Sequence, residues 1–241
     1  MNDKASTHRG KHLCNAAFKD DVVGAKALLQ TLEDEYEKAS TVNWVDEETG
    51  TSALWVAAWR GSLAMVELCI HAGADVNLSR TKDMATPLFA ASQCGHIACV
   101  EVILRIQETD TEQAMKGGYT PLLIATANKH LQVVQALLKR GASPDASDEA
   151  GICPLFVAAG LGRSDIVKEL IDHGASIDQQ NKEGWTPLAA ACHRQKMNVV
   201  RQLILSGASV DAIPSGSWEK RLAKRVRNEI ELHRSNDGVG Q

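Results

Sequence analysis

An all-α stack of repeated helix–turn–helix units follows from two features of this sequence: a period of 33 to 34 residues, and an apolar stripe at helical spacing within each period. The period shows in four segments, Thr86-Pro87-Leu88-Phe89, Thr120-Pro121-Leu122-Leu123, Cys153-Pro154-Leu155-Phe156 and Thr186-Pro187-Leu188-Ala189, which start 34, 33 and 33 residues apart. A fifth copy, Ser52-Ala53-Leu54-Trp55, lies 34 residues upstream of the first. Such self-similarity marks an array in which each unit buries its apolar face against its neighbours. Composition agrees. Aromatics are 4 % of the 241 residues, so a core must be built from Ala, Leu, Val and Ile, which suits short, closely stacked helices.

Each column has a physical reading. Thr or Ser before Pro is a helix N-cap followed by proline at the first helical position, where its missing N–H costs nothing. A small pair follows, Ala57-Ala58, Ala91-Ser92, Ala125-Thr126, Ala158-Ala159 and Ala191-Cys192, which lets the first helix approach its neighbours. The second helix carries apolar pairs four residues apart, Met65-Val66 with Cys69-Ile70, then Cys99-Val100 with Ile103-Leu104, Val133-Val134 with Leu137-Leu138, Ile166-Val167 with Leu170-Ile171, and Val199-Val200 with Leu203-Ile204. Gly73, Gly141, Gly174 and Gly207 stand where a helix ends in left-handed backbone. Asp75-Val76-Asn77, Pro144-Asp145, Ile177-Asp178 and Val210-Asp211 begin the extended fingers.

These TPL-x-x-A, G-x-x-x-(V/I)-V and GA-x-(V/I)-(D/N) elements resemble the ankyrin repeat over residues 47–212. The resemblance implies a solenoid of stacked helix pairs with β-turn fingers, closed by a C-terminal helix, and used to bind proteins on its concave face. The expected division is a flexible N-terminus at 1–10, a divergent capping repeat with an insertion at 11–46, and repeats at 47–80, 81–114, 115–147, 148–180 and 181–213. A basic amphipathic capping helix at 214–234 and a disordered tail at 235–241 complete it. In the N-terminal unit, Leu13 to Ala17 and Lys26 to Leu29 fit the columns, and the excess length falls in Leu32–Thr41 as a longer second helix or loop.

The chain departs from the family in two ways. The histidine that commonly follows TPL is replaced by Trp55, Phe89, Leu123, Phe156 and Ala189, so apolar packing must take over its inter-repeat role. In the 81–114 unit the terminal glycine is Gln107, and Glu108 to Lys116 contains neither GA nor (D/N) elements. A longer or looser finger is expected there, either a local irregularity or a partner-specific loop.

Repeated apolar columns explain stability; recognition belongs to positions that vary and project. By resemblance these are the finger tips and the exposed ends of the first helices. The residue before each N-cap reads Thr51, Ala85, Tyr119, Ile152 and Trp185; the helix ends read Trp59-Arg60, Gln93-Cys94, Ala127-Asn128, Gly160-Leu161 and His193-Arg194. From these the candidate protein-binding residues are Thr51, Trp59, Arg60, Gln93, Tyr119, Asn128, Ile152, Leu161, Trp185, His193 and Arg194. Tyr119, Ile152 and Trp185 read as a ladder at the repeat spacing, either binding a partner or shielding the stack.

After Asp211, Pro214-Ser215-Gly216-Ser217 breaks the pattern, and Ser217 is placed to cap a helix. Trp218, Leu222, Val226 and Ile230 form its apolar stripe, expected to cover the last repeat. Lys220, Arg221, Lys224, Arg225 and Arg227 form a basic patch, with nuclear import or contact with an acidic membrane or nucleic-acid surface as alternative roles. Residues 33–48, rich in Glu and Asp, are a solvated or steering face.

Several function classes are excluded. Net charge is −4, so no global basic field draws the chain to nucleic acid. No run of about 18 apolar residues indicates an integral membrane segment. Cys14, Cys69, Cys94, Cys99, Cys153 and Cys192 lack paired spacing, and the polar start lacks a signal peptide, so a reducing cytoplasmic or nuclear setting is expected. No phosphate loop, nucleophile elbow or zinc signature occurs. No cofactor, metal, small-molecule substrate or catalytic residue is expected. The reading is a monomeric, non-catalytic scaffold or adaptor that binds another protein, with a regulatory inhibitor as the alternative.

Overall fold

A computed structural model describes residues 3–213 and 218–237, with side chains described from residue 6 and, in the last helix, at 218–228 and 231. The chain divides into two compact units, residues 1–142 and 143–241. Among the described residues the secondary structure is helical throughout, without strands.

In the first unit, α1 (Asp3–Lys19), α2 (Val22–Gln30) and α3 (Glu35–Val42) form the N-terminal cap, followed by the pairs α4 (Ala53–Arg60) and α5 (Leu63–His71), α6 (Pro87–Cys94) and α7 (Ile97–Leu104), and α8 (Pro121–Ala127) and α9 (Leu131–Lys139). First helices stack on first helices, α1 on α4, α4 on α6 and α6 on α8, while α2, α5, α7 and α9 form the second layer. The second unit holds α10 (Pro154–Leu161), α11 (Ser164–Asp172), α12 (Pro187–His193), α13 (Met197–Leu205), a 3-10 turn at Val210–Ala212 and α14 (Trp218–Asp237). There α10 packs on α12 and α11 on α13, and α14 lies against α12, α13 and the 3-10 turn.

The columns do what their chemistry requires. Ser52, Thr86, Thr120 and Thr186 each accept a hydrogen bond from the amide three residues on, at 3.1–3.2 Å; such a cap contributes about 1 kcal/mol. Cys153 occupies the same position without a side-chain cap. Both members of every small pair, Ala57-Ala58 to Ala191-Cys192, are fully buried. The first member of the second apolar pair is always buried, whereas Ile70, Ile171 and Ile204 are only half-buried. A further column joins neighbouring repeats. Asn43 donates to the Gly73 carbonyl (3.0 Å) and accepts from the Asp75 amide (2.7 Å). Asn77 does the same with Glu108 and Asp110, and the Asp145 and Asp178 carboxylates take the Ser176 and Ser209 amides.

Four expectations change. Residues 3–10, expected to be flexible, are helical: α1 begins at Asp3. Gly10 is buried against Trp44, close enough that a methyl group there would collide with the indole. The insertion is a separate helix, α3, packed on α1 and tied to it by Arg9 and Glu37 at 3.1 Å. The 108–116 finger is not loose. Its turn arrives one residue late, with Asp110 standing where Asp75 stands. Thr109, buried, donates its hydroxyl to the Ile103 carbonyl (2.7 Å), and Arg140 reaches the Leu104, Gln107 and Ile106 carbonyls (3.0, 3.2 and 3.5 Å). These two side chains replace the terminal glycine in satisfying the end of α7.

The C-terminal helix is also longer and rotated. It runs to Asp237, into the expected tail, and its buried face is Glu219, Ala223 and Val226, with Leu222 half-buried and Trp218 exposed. The Ser217 cap, the Ile230 side chain and residues 238–241 lie outside the described residues.

Candidate protein-recognition surface

The fingers present the surface, and each is closed by one backbone bond: Asp46 amide to Thr51 carbonyl, Arg80 to Ala85, Met115 to Tyr119, Asp148 to Ile152 and Asn181 to Trp185, all 2.8–3.1 Å. Within each unit, neighbouring tips are joined by one more: Thr81 to Gly50 (3.1 Å) and Lys116 to Asp83 (2.8 Å) in the first, Lys182 to Ala150 (3.0 Å) in the second. In the first, fourth and fifth fingers the opening Asp46, Asp148 or Asn181 side chain accepts amides of its own turn at 2.7–3.1 Å. Those bonds hold the Asp46 carboxyl below the usual range.

In the first unit, the candidate surface centres on Trp59, 41 % exposed at the end of α4. It stacks on the buried Trp55, with ring centroids 6.4 Å apart and planes 13° apart. The Arg80 guanidinium also lies over the Trp55 ring, 4.4 Å from its centre. Arg80 is gripped by Asp83 through a bidentate pair, one arm at 2.9 Å. Hydrogen bonding from Arg80 pushes the Asp83 carboxyl down, and the same bonds push the guanidinium up. A half-exposed indole thus rests on a buried one, which carries a cation held by an anion. Arg60 is exposed and lies 5.5 Å over the Phe18 ring. Tyr119 is 39 % exposed on the third finger.

Other candidates in this unit do structural work. Thr51 is buried, its hydroxyl 2.7 Å from that of Thr49, so it offers no surface. Asn128 and Gln93 are exposed but joined, Asn128 donating to the Gln93 carbonyl at 2.8 Å.

In the second unit, Trp185 is half-buried and meets the exposed His193 edge-on, 5.2 Å between centroids. His193 is also 6.1 Å from the Trp218 ring and 3.0 Å, through Nδ1, from the carboxylate of Glu219. Glu219 is buried, so α14 is pinned to α12 by a polar contact between His193 and a buried carboxylate. Ile152 and Leu161 are half-buried and Arg194 is exposed. Of the basic patch, Arg221, Lys224 and Arg225 are exposed, Lys220 is half-buried 3.8 Å from Asp211, and Arg227 lies 3.9 Å from Glu231.

Sequence reasoning missed three groups. Arg80 and Asp83 gave no motif, because their partner Trp55 is a column apart. His96 and His130, at the N-caps of α7 and α9, bond through Nε2 to the Trp59 and Gln93 carbonyls of the preceding repeat at 3.1 Å. They supply an inter-repeat histidine link in a different column from the one the family commonly uses, where Trp55, Phe89, Leu123 and Ala189 are buried instead. Met84, 48 % exposed, is the third.

Burial pushes the thiols of Cys14, Cys69 and Cys192 up to about 12 and that of Cys99 to about 11, which makes them poor nucleophiles. Among the described residues no helix is long and apolar enough to cross a membrane. A family model for ankyrin repeats, built of three copies, matches residues 54–148 and 144–213. Repeats of this kind generally mediate protein–protein interaction and are typically non-catalytic. The 33-residue columns, the stacked helix pairs with their fingers and a match over most of the chain give one conclusion: this protein belongs to the ankyrin-repeat family.

Proposed function

We propose that the protein is a scaffold or adaptor that binds a partner protein on the finger-and-first-helix face, in a reducing compartment of the cell. The observation that carries this reading is the Trp59–Trp55–Arg80–Asp83 series of contacts, which seats an exposed indole on a buried ring with no partner bound. Preorganised aromatic anchors lose little entropy on binding, and indoles are among the side chains that dominate interface energies. Tyr119 belongs to the same face of the first unit, and Trp185, His193 and Arg194 to that of the second. An adaptor also needs a second surface; the exposed Arg221, Lys224 and Arg225 of α14 supply a cationic one, suited to an acidic protein or membrane.

The test is affinity capture from native lysate, comparing wild type with a Trp59→Ala/Tyr119→Ala/Trp185→Ala variant shown by circular dichroism to be folded. Partners lost with the variant support the aromatic face. An unchanged partner list overturns it. An Arg221→Glu/Lys224→Glu/Arg225→Glu variant that loses a different set of partners supports the adaptor reading; one that loses none leaves a single-site binder.

A further inference from the structure

The second finger departs from its siblings at both ends. Where the first, fourth and fifth fingers open with Asp46, Asp148 or Asn181, the second opens with Arg80, and its acid moves to Asp83. Two residues before the N-cap, the other four fingers carry Gly50, Gly118, Gly151 and Gly184, all at φ between 73° and 82°. The second finger carries Met84 there, at φ 64°. Left-handed backbone drives a Cβ toward the following carbonyl, so a residue other than glycine stays there only when its surroundings impose it. The imposing contacts are the Met84 amide to the Arg80 carbonyl (2.8 Å), the Arg80 amide to the Ala85 carbonyl (2.8 Å), and the Asp83 clasp that lays Arg80 on Trp55. No burial offsets this cost fully, because the side chain remains 48 % exposed.

The charges around Met84 are segregated by sign. Lys82 beside it and Lys116 on the next fingertip are exposed, and Lys116 reaches the Lys82 carbonyl at 2.6 Å. The carboxylate between them, Asp83, is engaged by Arg80 and by the Ala85 amide at 3.1 Å. On the opposite side, the first fingertip presents Glu47 and Glu48. Sign therefore changes across the methionine.

We infer that Met84 is the apolar anchor of a docking surface on the second and third fingers, and that its occupant is a linear segment of a partner protein carrying a large apolar residue with acidic side chains on one flank. This rests on reading the finger face as the binding surface. It adds the partner's chemistry: the apolar residue packs on Met84 and Tyr119, and the acidic flank lies over Lys82 and Lys116.

The test uses the full chain and two fluorescein-labelled nonapeptides, each with a central phenylalanine. One carries three acidic residues on one flank and glycine-serine on the other; the second replaces the acids with lysines. Anisotropy titration is expected to give roughly tenfold tighter binding of the acidic peptide, falling at higher salt. Met84→Gly is expected to weaken it about fivefold while leaving the unfolding temperature unchanged or raising it by up to about 4 °C, since glycine relieves the left-handed backbone. Lys82→Glu/Lys116→Glu is expected to invert the peptide preference. Equal binding of the two peptides overturns the inference, as does wild-type affinity in Met84→Gly. A lowered unfolding temperature in Met84→Gly overturns it too, since Met84 would then be a structural plug. If the Trp59/Tyr119/Trp185 variant loses cellular partners while Met84→Gly keeps both partners and peptide binding, the anchor fails and the broader reading stands; if neither changes anything, both fail.

Discussion

Trp59 and His193 occupy the same column of the repeat, at the exposed end of a first helix, and the molecule uses them differently. Trp59 stacks on Trp55, whose ring in turn carries Arg80, and keeps 41 % of its surface in solvent. His193 is engaged by the terminal helix: Glu219 holds its Nδ1, and the tilted Trp218 ring lies 6.1 Å away. A repeat column therefore fixes where a side chain emerges, and the neighbouring element decides whether it remains available. In the first unit that neighbour is a finger, which leaves the ring open. In the second it is α14, so the recognition capacity of Trp185 and His193 depends on the seating of a helix.

Removing the braces tests the contrast most severely. Trp55→Ala deletes a ring that is 6 % exposed and is expected to destabilise the protein by about 3–5 kcal/mol, measured by urea denaturation followed by circular dichroism. A loss below about 1 kcal/mol would mean that the stack is a surface ornament. Glu219→Ala is the corresponding change at the other cluster, expected to cost about 1–3 kcal/mol by removing a buried acceptor. It has a second readout in Cys192, fully buried beside Glu219, whose thiol is pushed up to about 12 by burial first and by the Glu219 charge second. The raised value means that the thiol form contributes stability below pH 9.0, lost as the pH rises toward the folded value. Wild-type Cys192 is therefore expected to resist a thiol-specific reagent at pH 9, while Glu219→Ala makes it react faster. An unaltered rate would show that α14 stays seated without its carboxylate.

Most of the fold was legible because ankyrin columns are set by short-range rules: a capped proline, a small pair, an apolar stripe. The end of α7 was not, because its missing glycine is replaced by Arg140, more than thirty residues away, and by a threonine whose role depends on the turn's final shape. The rotation of α14 escaped for a related reason. A four-residue apolar spacing favoured Trp218, Leu222 and Val226, but a histidine on another helix made it favourable to bury Glu219. For the recognition surface, exposure of Trp59, Tyr119 and Arg194 followed from position alone, whereas burial of Thr51 did not: its carbonyl takes the Cys14 thiol of α1, 37 residues away, and its hydroxyl meets Thr49. Met84 carried a readable signal: a methionine in a column that is otherwise glycine, two residues before each N-cap.

Between the two clusters, the Arg80–Asp83 clasp is the part that distinguishes the first. Arg80→Ala is expected to destabilise by about 1–2 kcal/mol, combining loss of the cation over Trp55 with loss of its ion pair. The clasp also has an acid signature. Asp83 is held below its ordinary 3.8, chiefly by Arg80, so its contribution is present above that value and disappears as pH falls through the lower, folded one. Wild type should thus lose more stability than Arg80→Ala between pH 4 and pH 2 in parallel thermal melts, and identical acid profiles would remove the clasp from the account.

Trp59→Ala decides what the brace is for. With 41 % of the residue in solvent, its truncation should cost about 1–2 kcal/mol, well below that of Trp55→Ala. Partner affinity should fall as well, by on the order of 2 kcal/mol or roughly thirtyfold, when titrated by calorimetry against a partner captured on wild type. His193→Ala supplies the counterpart. Because that side chain seats α14, its removal should lower the unfolding temperature and speed the reaction of Cys192, whatever its effect on binding. Should Trp59→Ala instead resemble His193→Ala, costing stability without costing affinity, then both residues are internal braces, and the column that looks like a recognition surface is a second core.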